Sequence, residues 1–230
     1  MRKLEQENMT QKPKVTLVAL TVPTVPGVTS PEEFIAYAAK VSNPENQINS
    51  ETAPRLMKYL IKNKHWSPFE MVHMVIEIKT TRDIARQILR HRSFSFQEFS
   101  QRYADATQLG FTNSEARLQD SKNRQNSIEL ENITLQQEWL EQQDKVLNAV
   151  LEAYEWAAQN GIAKEVRRKV LPEGLTNSTM YMSGTLRSWI HYVLERKQAS
   201  TQKEHRAISL EILPIIQQQF PAIASILEDL

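Results

Sequence analysis

An α+β fold in a single domain is what this sequence predicts, on three observations. Short apolar runs of strand character recur at 14–22, 71–79 and 176–184. Helical patterns with recognisable starts and stops lie between and after them. No linker, internal repeat or break in composition divides the 230 residues. The expected architecture is a small antiparallel sheet packed with several helices, one of them long, with a polar lead over 1–13 and a surface excursion over 108–133.

KVTLVALTV (14–22) opens the pattern as a buried strand. SPEEFIAYAAKVS follows as a helix, with Ser30 as N-cap, Pro31 at the first helical position and acids in the first turn. A second helix is expected over about 51–63, where Pro54 falls in the first turn and its missing N–H costs little. HWSPFE (65–70) breaks the helix. In MVHMVIEIK (71–79), Val72, Met74, Ile76 and Ile78 alternate with His73, Val75, Glu77 and Lys79, the period of a strand with one buried face. Thr81 and Asp83 begin a short helix striped by Ile84, Ala85, Ile88 and Leu89. RHRSFSFQEFSQRY (90–103) then lies at that helix's C-terminal end and in the loop beyond it.

Residues 108–133 are rich in Asn, Gln, Ser and Arg without periodicity, hence the surface excursion. A long helix from about 134 to 160 carries Leu135, Trp139, Val146, Leu147, Val150, Leu151 and Tyr154 as its apolar stripe, with Gly161 as its stop. AKEVRRKVLP is a basic helix ended by Pro172, and TNSTMYMSG (176–184) a strand. TLRSWIHYVLERK is helical again, and a final helical region runs from about 201.

Composition narrows the chemistry. Lys plus Arg (28) nearly balance Asp plus Glu (27), so no bulk field draws the molecule to nucleic acid or an anionic membrane, and anion binding must be local. No apolar run approaches the roughly 20 residues of a bilayer span. MRKLEQENMTQKPK lacks the apolar block of a signal peptide, so a cytosolic protein is expected. The absence of cysteine excludes disulfides, iron–sulfur ligation, thiolate zinc sites and a cysteine nucleophile. No HExxH or carboxylate–histidine cluster argues for a metal, and Ser100 has no GxSxG elbow around it. With 5 Gly in the chain and neither a GxGxxG turn nor a Walker loop, a nucleotide here must be held by side chains.

Three cationic groups could do so: Arg90-His91-Arg92, RRK (167–169), and Arg187, His191 and Arg196 near one helical face. Cations at a helix C-terminus often only complement the macrodipole. Three consecutive residues, however, point in different directions around a helix, so dipole compensation does not require all of them. The segment after RHR adds Gln97, Glu98, Ser100, Gln101 and Arg102, donors and acceptors suited to an amide-bearing ring beside arginines suited to phosphate. His65, before a Trp and a Ser-Pro turn, reads locally as a structural loop histidine. A competing reading is an RNA-binding surface, with Phe94, Phe96 and Phe99 stacking on bases and RHR and RRK on phosphates. Near-neutral charge and the lack of a recognisable binding module weigh against it.

Taken together, the motifs carry a resemblance. Arg90-His91-Arg92, the seven residues SFSFQEF and Ser100 resemble the signature of flavin-dependent thymidylate synthases. HWSPFE, RRKVLP and LRSWIHYVLER with the later Glu204 resemble further segments of that family, in order, over roughly residues 30 to 210. The resemblance implies that Arg90, His91 and Arg92 line a flavin site with Ser42, Ser67, Glu70, Glu98, Arg187 and His191. It implies that Gln87, Glu98, Ser100, Gln101, Arg102 and Arg168 surround dUMP. Nearest the chemistry it places Arg196, polarising the uracil; Ser100, as a substrate ligand and not a nucleophile; and His65, near the flavin ring and the folate. The implied reaction is reductive methylation of dUMP to dTMP, with FAD as cofactor, NADPH and 5,10-methylenetetrahydrofolate as cosubstrates, and no metal. The implied assembly is a homotetramer whose subunits share each FAD. Gln97 and Gln101 stand where some members have Asn and Gly, and Thr185 and His191 where some have Asn.

Overall fold

The computed structural model describes residues 13–229, so all of the expected polar lead except Pro13 lies outside the described residues. In chain order the elements are strand β1 (Lys14–Leu20), helices α1 (Pro31–Ala39) and α2 (Ala53–Lys62), strand β2 (His73–Thr81), helix α3 (Arg82–Ile88) and strands β3 (Ser95–Glu98), β4 (Arg117–Gln119) and β5 (Ser127–Glu129). Helices α4 (Ile133–Gln159) and α5 (Lys164–Arg167), strand β6 (Asn177–Thr185) and helices α6 (Leu186–Arg196), α7 (Lys203–Gln219) and α8 (Pro221–Asp229) follow. The fold is α+β, as expected, with a four-stranded antiparallel sheet in the order β1-β2-β6-β3 and an α4 of 27 residues. No described helix is long and apolar enough to cross a membrane. The residues gather into two compact units, one of Lys14–Ile78, Arg90–Gln97 and Tyr181–Leu230, the other including Lys79–Leu89 and Glu98–Met180.

In the first unit the alternation read from the sequence is realised, for Val72, Met74, Ile76 and Ile78 are all fully buried. Strand β1 departs from the expected buried strand. Its residues are exposed or half-buried, Val18 at 52%, because it is an edge strand with β2 on one side only and α7 packed against it. Helix α1 starts where its signals put it: Ser30 Oγ accepts from Glu33 N at 3.1 Å, and the Glu33 carboxylate accepts from Thr29 N at 2.6 Å. Helix α2 ends in a turn in which Lys64 N donates to Ile61 O and His65 N to Leu60 O. Lys64 takes the left-handed conformation there, φ 58°, and the turn delivers His65 and the 3-10 segment Ser67–Glu70. Trp189 docks α6 by donating its indole N–H to Met74 O at 3.2 Å.

Strand β3 was missed by the loop reading of 90–103. Phe94, Phe96 and the polar residues between them carry the two-residue period of a strand, a signal masked by the charges around it. The preceding turn is anchored by Phe94, whose ring lies against the bare backbone of Gly184; a β-carbon at that glycine would come within 2.4 Å of the ring.

The second unit has its stripe on α3, where Ile84, Ala85 and Ile88 are buried and Leu89 half-buried. Tyr154 of α4 is buried, donates to Asp105 Oδ1 at 3.2 Å and carries the Arg167 guanidinium 4.8 Å above its ring. The 108–133 excursion is not irregular throughout. It holds the β4–β5 hairpin, with Leu118 opposite Ile128, closed by Asp120, which accepts from Lys122 N, Asn123 N and the Asn126 side chain. Asp and Asn turn bonds of this kind leave no hydrophobic period to read. The stripe of α4 is only partly covered: Leu135, Trp139 and Val146 remain 41%, 42% and 49% exposed, because the helix outruns the core of its own unit.

Substituting Gly184 by Ala should force Phe94 out of its seat and cost about 1–3 kcal/mol by overpacking. Urea denaturation of Gly184→Ala against the parent protein measures it.

Candidate active site

The residues that the resemblance assigned to flavin, apart from Glu98, all lie in the first unit, with Arg196 and His65. Arg90 and Arg92 are exposed on the turn between α3 and β3, and neither enters an ion pair among the described residues. His91 between them is half-buried, and its Nε2 accepts from Arg196 Nε at 3.1 Å. Burial, then the positive charge of Arg196, lowers the pKa of His91, with a smaller push from Arg90 and opposition from Glu195. A neutral ring with an unprotonated Nε2 is what the Arg196 bond requires. Arg187 is bonded to Glu70, and the His191 ring sits 4.6 Å from Trp66. Burial first, and the Arg187 charge second, lower the His191 pKa. Ser42, Ser67 and His65 are exposed, the last edge-on to Tyr59 at 6.0 Å. Beside His65, between Tyr59 and Trp66, opens a cavity of about 480 Å³, mostly apolar and lined also by Lys58, Lys62 and Lys64.

The residues assigned to dUMP, apart from Arg196, all lie in the second unit. Glu98, assigned to both groups, is here, accepting from Ser178 Oγ at 2.7 Å and from Arg82 Nη1 at 3.3 Å. Both partners of the Arg82–Glu98 pair are mostly buried, at 13% and 16% exposure, so the carboxylate is held in one orientation. Ser100 begins a tight turn, its carbonyl accepting from Tyr103 N and Ala104 N. Gln101 is 6% exposed, and its Nε2 has no partner among the described residues. Arg102 meets Glu165 at 3.1 Å in an exposed pair. Gln87 on α3 and Arg168 in the 3-10 turn after α5 are half-buried.

Sequence reasoning missed Arg82, Ser178 and Trp66, the partners of Glu98 and His191. For Ser178 a signal existed, a polar residue in register with Met180 and Met182 on the buried face of β6. The RNA surface loses a ring, since Phe94 is buried against Gly184 and Trp189 and cannot stack on a base.

The residues fit a flavin nucleotide: Arg90 and Arg92 have charge open to an anion, and the rings of His91, His191 and Trp66 suit a flat heterocycle. Fold and clusters define a class, an α+β protein whose clustered arginines, amides and rings, with no glycine loop, are the side chains suited to an anionic, amide-bearing ligand. Residues 24–222 match the family described as thymidylate synthase complementing protein. The chain is 50% identical over 212 residues to a probable flavin-dependent thymidylate synthase of Paramecium bursaria Chlorella virus 1, covering 92% of this chain and 97% of that one. It is 48% identical over 199 residues to the flavin-dependent thymidylate synthase of Synechocystis sp., covering 86% and 90%. In fold it is similar to the crystal structure of the UMP/dUMP methylase PolB from Streptomyces cacaoi bound with 5-Br dUMP, with a TM-score of 0.80, 22% identity and 95% of each chain covered. The chain belongs to the flavin-dependent thymidylate synthase family.

A buried donor without a partner costs about 1–3 kcal/mol. Gln101→Leu should therefore raise the melting temperature of the ligand-free protein, corresponding to about 1 kcal/mol. Differential scanning calorimetry checks the sign.

Proposed function

We propose that the chain converts dUMP to dTMP by reductive methylation, with 5,10-methylenetetrahydrofolate as one-carbon donor, NADPH as reductant and FAD as the bound flavin. The observation that carries this reading is the chemical sorting of the signature residues. Glu98, Ser100, Gln101, Arg102 and Arg168 gather in one unit, and Arg90, His91, Arg92 and Arg187 in the other. The first set suits a uracil ring and a phosphate, the second a flavin dinucleotide.

Methylation at C5 needs the uracil ring to lose its aromatic character, which a cysteine thiolate achieves by adding at C6. This chain has no cysteine. Bound FAD, once reduced, supplies the reducing equivalents that a thiolate route does not require. The protein's part is to position and polarise. Arg196 donates one N–H to His91 and keeps others for negative charge developing on the uracil oxygens. Gln101 Nε2, buried and without a partner among the described residues, donates to a uracil carbonyl. Arg102 exchanges Glu165 for the phosphate, because an exposed pair contributes only about 0–1 kcal/mol and a bidentate phosphate bond exceeds that. Arg168 joins it at the phosphate, and Gln87 and Glu98 complete the nucleotide pocket. Ser42, Ser67, Glu70, Arg187 and His191 join the RHR turn around FAD. The apolar, lysine-rimmed cavity beside His65 suits the aromatic and carboxylate-bearing portion of the folate.

The uncovered stripe of α4, where Leu135, Trp139 and Val146 stay exposed, supports a homotetramer with shared active sites. We place this enzyme in the cytosol.

Tritium release from C5-labelled dUMP should require FAD, NADPH and methylenetetrahydrofolate together, and release that persists with any one omitted would refute the scheme. Ser100→Ala should retain measurable turnover with weakened dUMP binding, whereas total loss at unchanged affinity would make Ser100 more than a ligand. Trp139→Glu should lower the mass found by size-exclusion chromatography with light scattering, and an unchanged tetramer would remove α4 from the interface.

A further inference from the structure

Tyr192 and His205 belong to neither group of implied site residues, yet each is only 2% exposed in the core of the first unit. Polar groups in such a place cost free energy unless they are bonded. Here they bond each other, Tyr192 Oη lying 3.0 Å from His205 Nε2. Burial, reinforced by the charges of Arg196 and His91, brings the His205 pKa down to about 4, and burial raises that of Tyr192. Both groups are therefore uncharged at neutral pH.

The bond fixes more than itself. The Tyr192 ring stands edge-on to His91 at 4.9 Å and 76°, the His205 ring at 6.1 Å and 86°, and Phe94 at 6.5 Å and 86°. His91 is thus walled on several sides by rings whose own orientations are locked. An imidazole has two flip states, and turning this one over would put a C–H where Nε2 now accepts from Arg196 Nε. The Arg196 bond survives in one flip state and one tautomer.

We propose that the Tyr192–His205 pair is a positioning device, holding His91 in the flip state and tautomer that present an unprotonated Nε2 to Arg196 and so aim the remaining guanidinium donors. This rests on the roles given above to His91 and Arg196. Tyr192 and His205, each 2% exposed, are closed off within the core of this unit and act through His91.

The test removes both polar groups at once, because replacing only one leaves the bond between them unmade, at a cost in stability that replacing both by apolar side chains reduces. Tyr192→Phe/His205→Ile should melt within a few degrees of the parent, bind FAD about tenfold more weakly by fluorescence quenching and turn over about tenfold more slowly, with KM for dUMP changed less than about twofold. Tyr192→Phe alone keeps the ring and therefore the packing, and should show the same losses at about threefold. His205→Gln, whose carboxamide can answer the Tyr192 hydroxyl from near the Nε2 position, should restore FAD affinity and kcat where His205→Ile does not. Wild-type FAD affinity in Tyr192→Phe and in the double variant would overturn the proposal, as would equal losses in His205→Gln and His205→Ile. FAD binding is read without turnover, so a parent protein that releases no tritium would sink the reaction scheme while leaving this inference to be decided by affinity.

Discussion

The seat of Phe94 against the bare backbone of Gly184 is the contact on which the cationic turn depends. Arg90 and Arg92 stand exposed on a short turn, like charges that offer the core nothing. Burying the next-but-one residue supplies what they lack, since an aromatic side chain removed from water contributes about 1.5–3 kcal/mol. The same stretch of backbone runs directly into α6, which begins at Leu186 and carries Arg187, His191 and Arg196. One glycine therefore holds two of the three cationic groups in relation to each other within a single unit. A side chain at that position would shift the turn and leave α6 where it is, dissolving the His91–Arg196 bond without touching either residue.

Burial, reinforced by neighbouring arginines, sets the protonation of the histidines in this unit. His91, His191 and His205 all have pKa values lowered from 6.5, with burial the largest cause and neighbouring arginine charge contributing to each. A base whose folded pKa lies below its unfolded one takes up protons more readily when unfolded, so the stability it carries is complete above about pH 6.5 and is lost as pH falls toward the folded pKa. Neutral rings are consequently the state of this cluster around pH 7, and they permit guanidinium groups and imidazoles to share a small volume without mutual repulsion.

Much of this was legible in the sequence, and what escaped did so for definite reasons. The buried face of β2, the stripe of α3, the extent of α4 and the capped start of α1 each follow from one local rule, so residues 30–39 or 71–79 suffice to find them. Strand β1 was misjudged because apolar content cannot distinguish a central strand from an edge strand; neighbours decide that. The β4–β5 hairpin escaped because its turn is built from Asp120, Asn123 and Asn126, residues that elsewhere mean loop. Single site residues were visible by type, and Ser178 by its place on the buried face of β6, whereas the pairing of Arg82 with Glu98, Trp66 with His191 and His205 with Tyr192 was invisible. A partner is chosen by proximity in space, and proximity across 80 residues, as between Glu98 and Ser178, leaves no local trace.

Those partners matter because of how this chain must hold a nucleotide. A glycine loop presents backbone N–H groups already fixed by the fold, but side chains as long as Arg, Gln and Glu lose about 1.5–2 kcal/mol of rotamer freedom each when a ligand orders them. Partners that impose the order beforehand reduce this loss: Arg82 and Ser178 on Glu98, Glu70 on Arg187, Trp66 on His191, and the rings around His91. Gln101 is 6% exposed, and its Nε2 has no acceptor among the described residues. Such an atom is costly in the free protein and favourable only when something brings an acceptor to it. A ligand carbonyl would recover that cost on binding, and an analogue without one would not. In the proposed role, an amide of this kind would convert part of the protein's stability into discrimination.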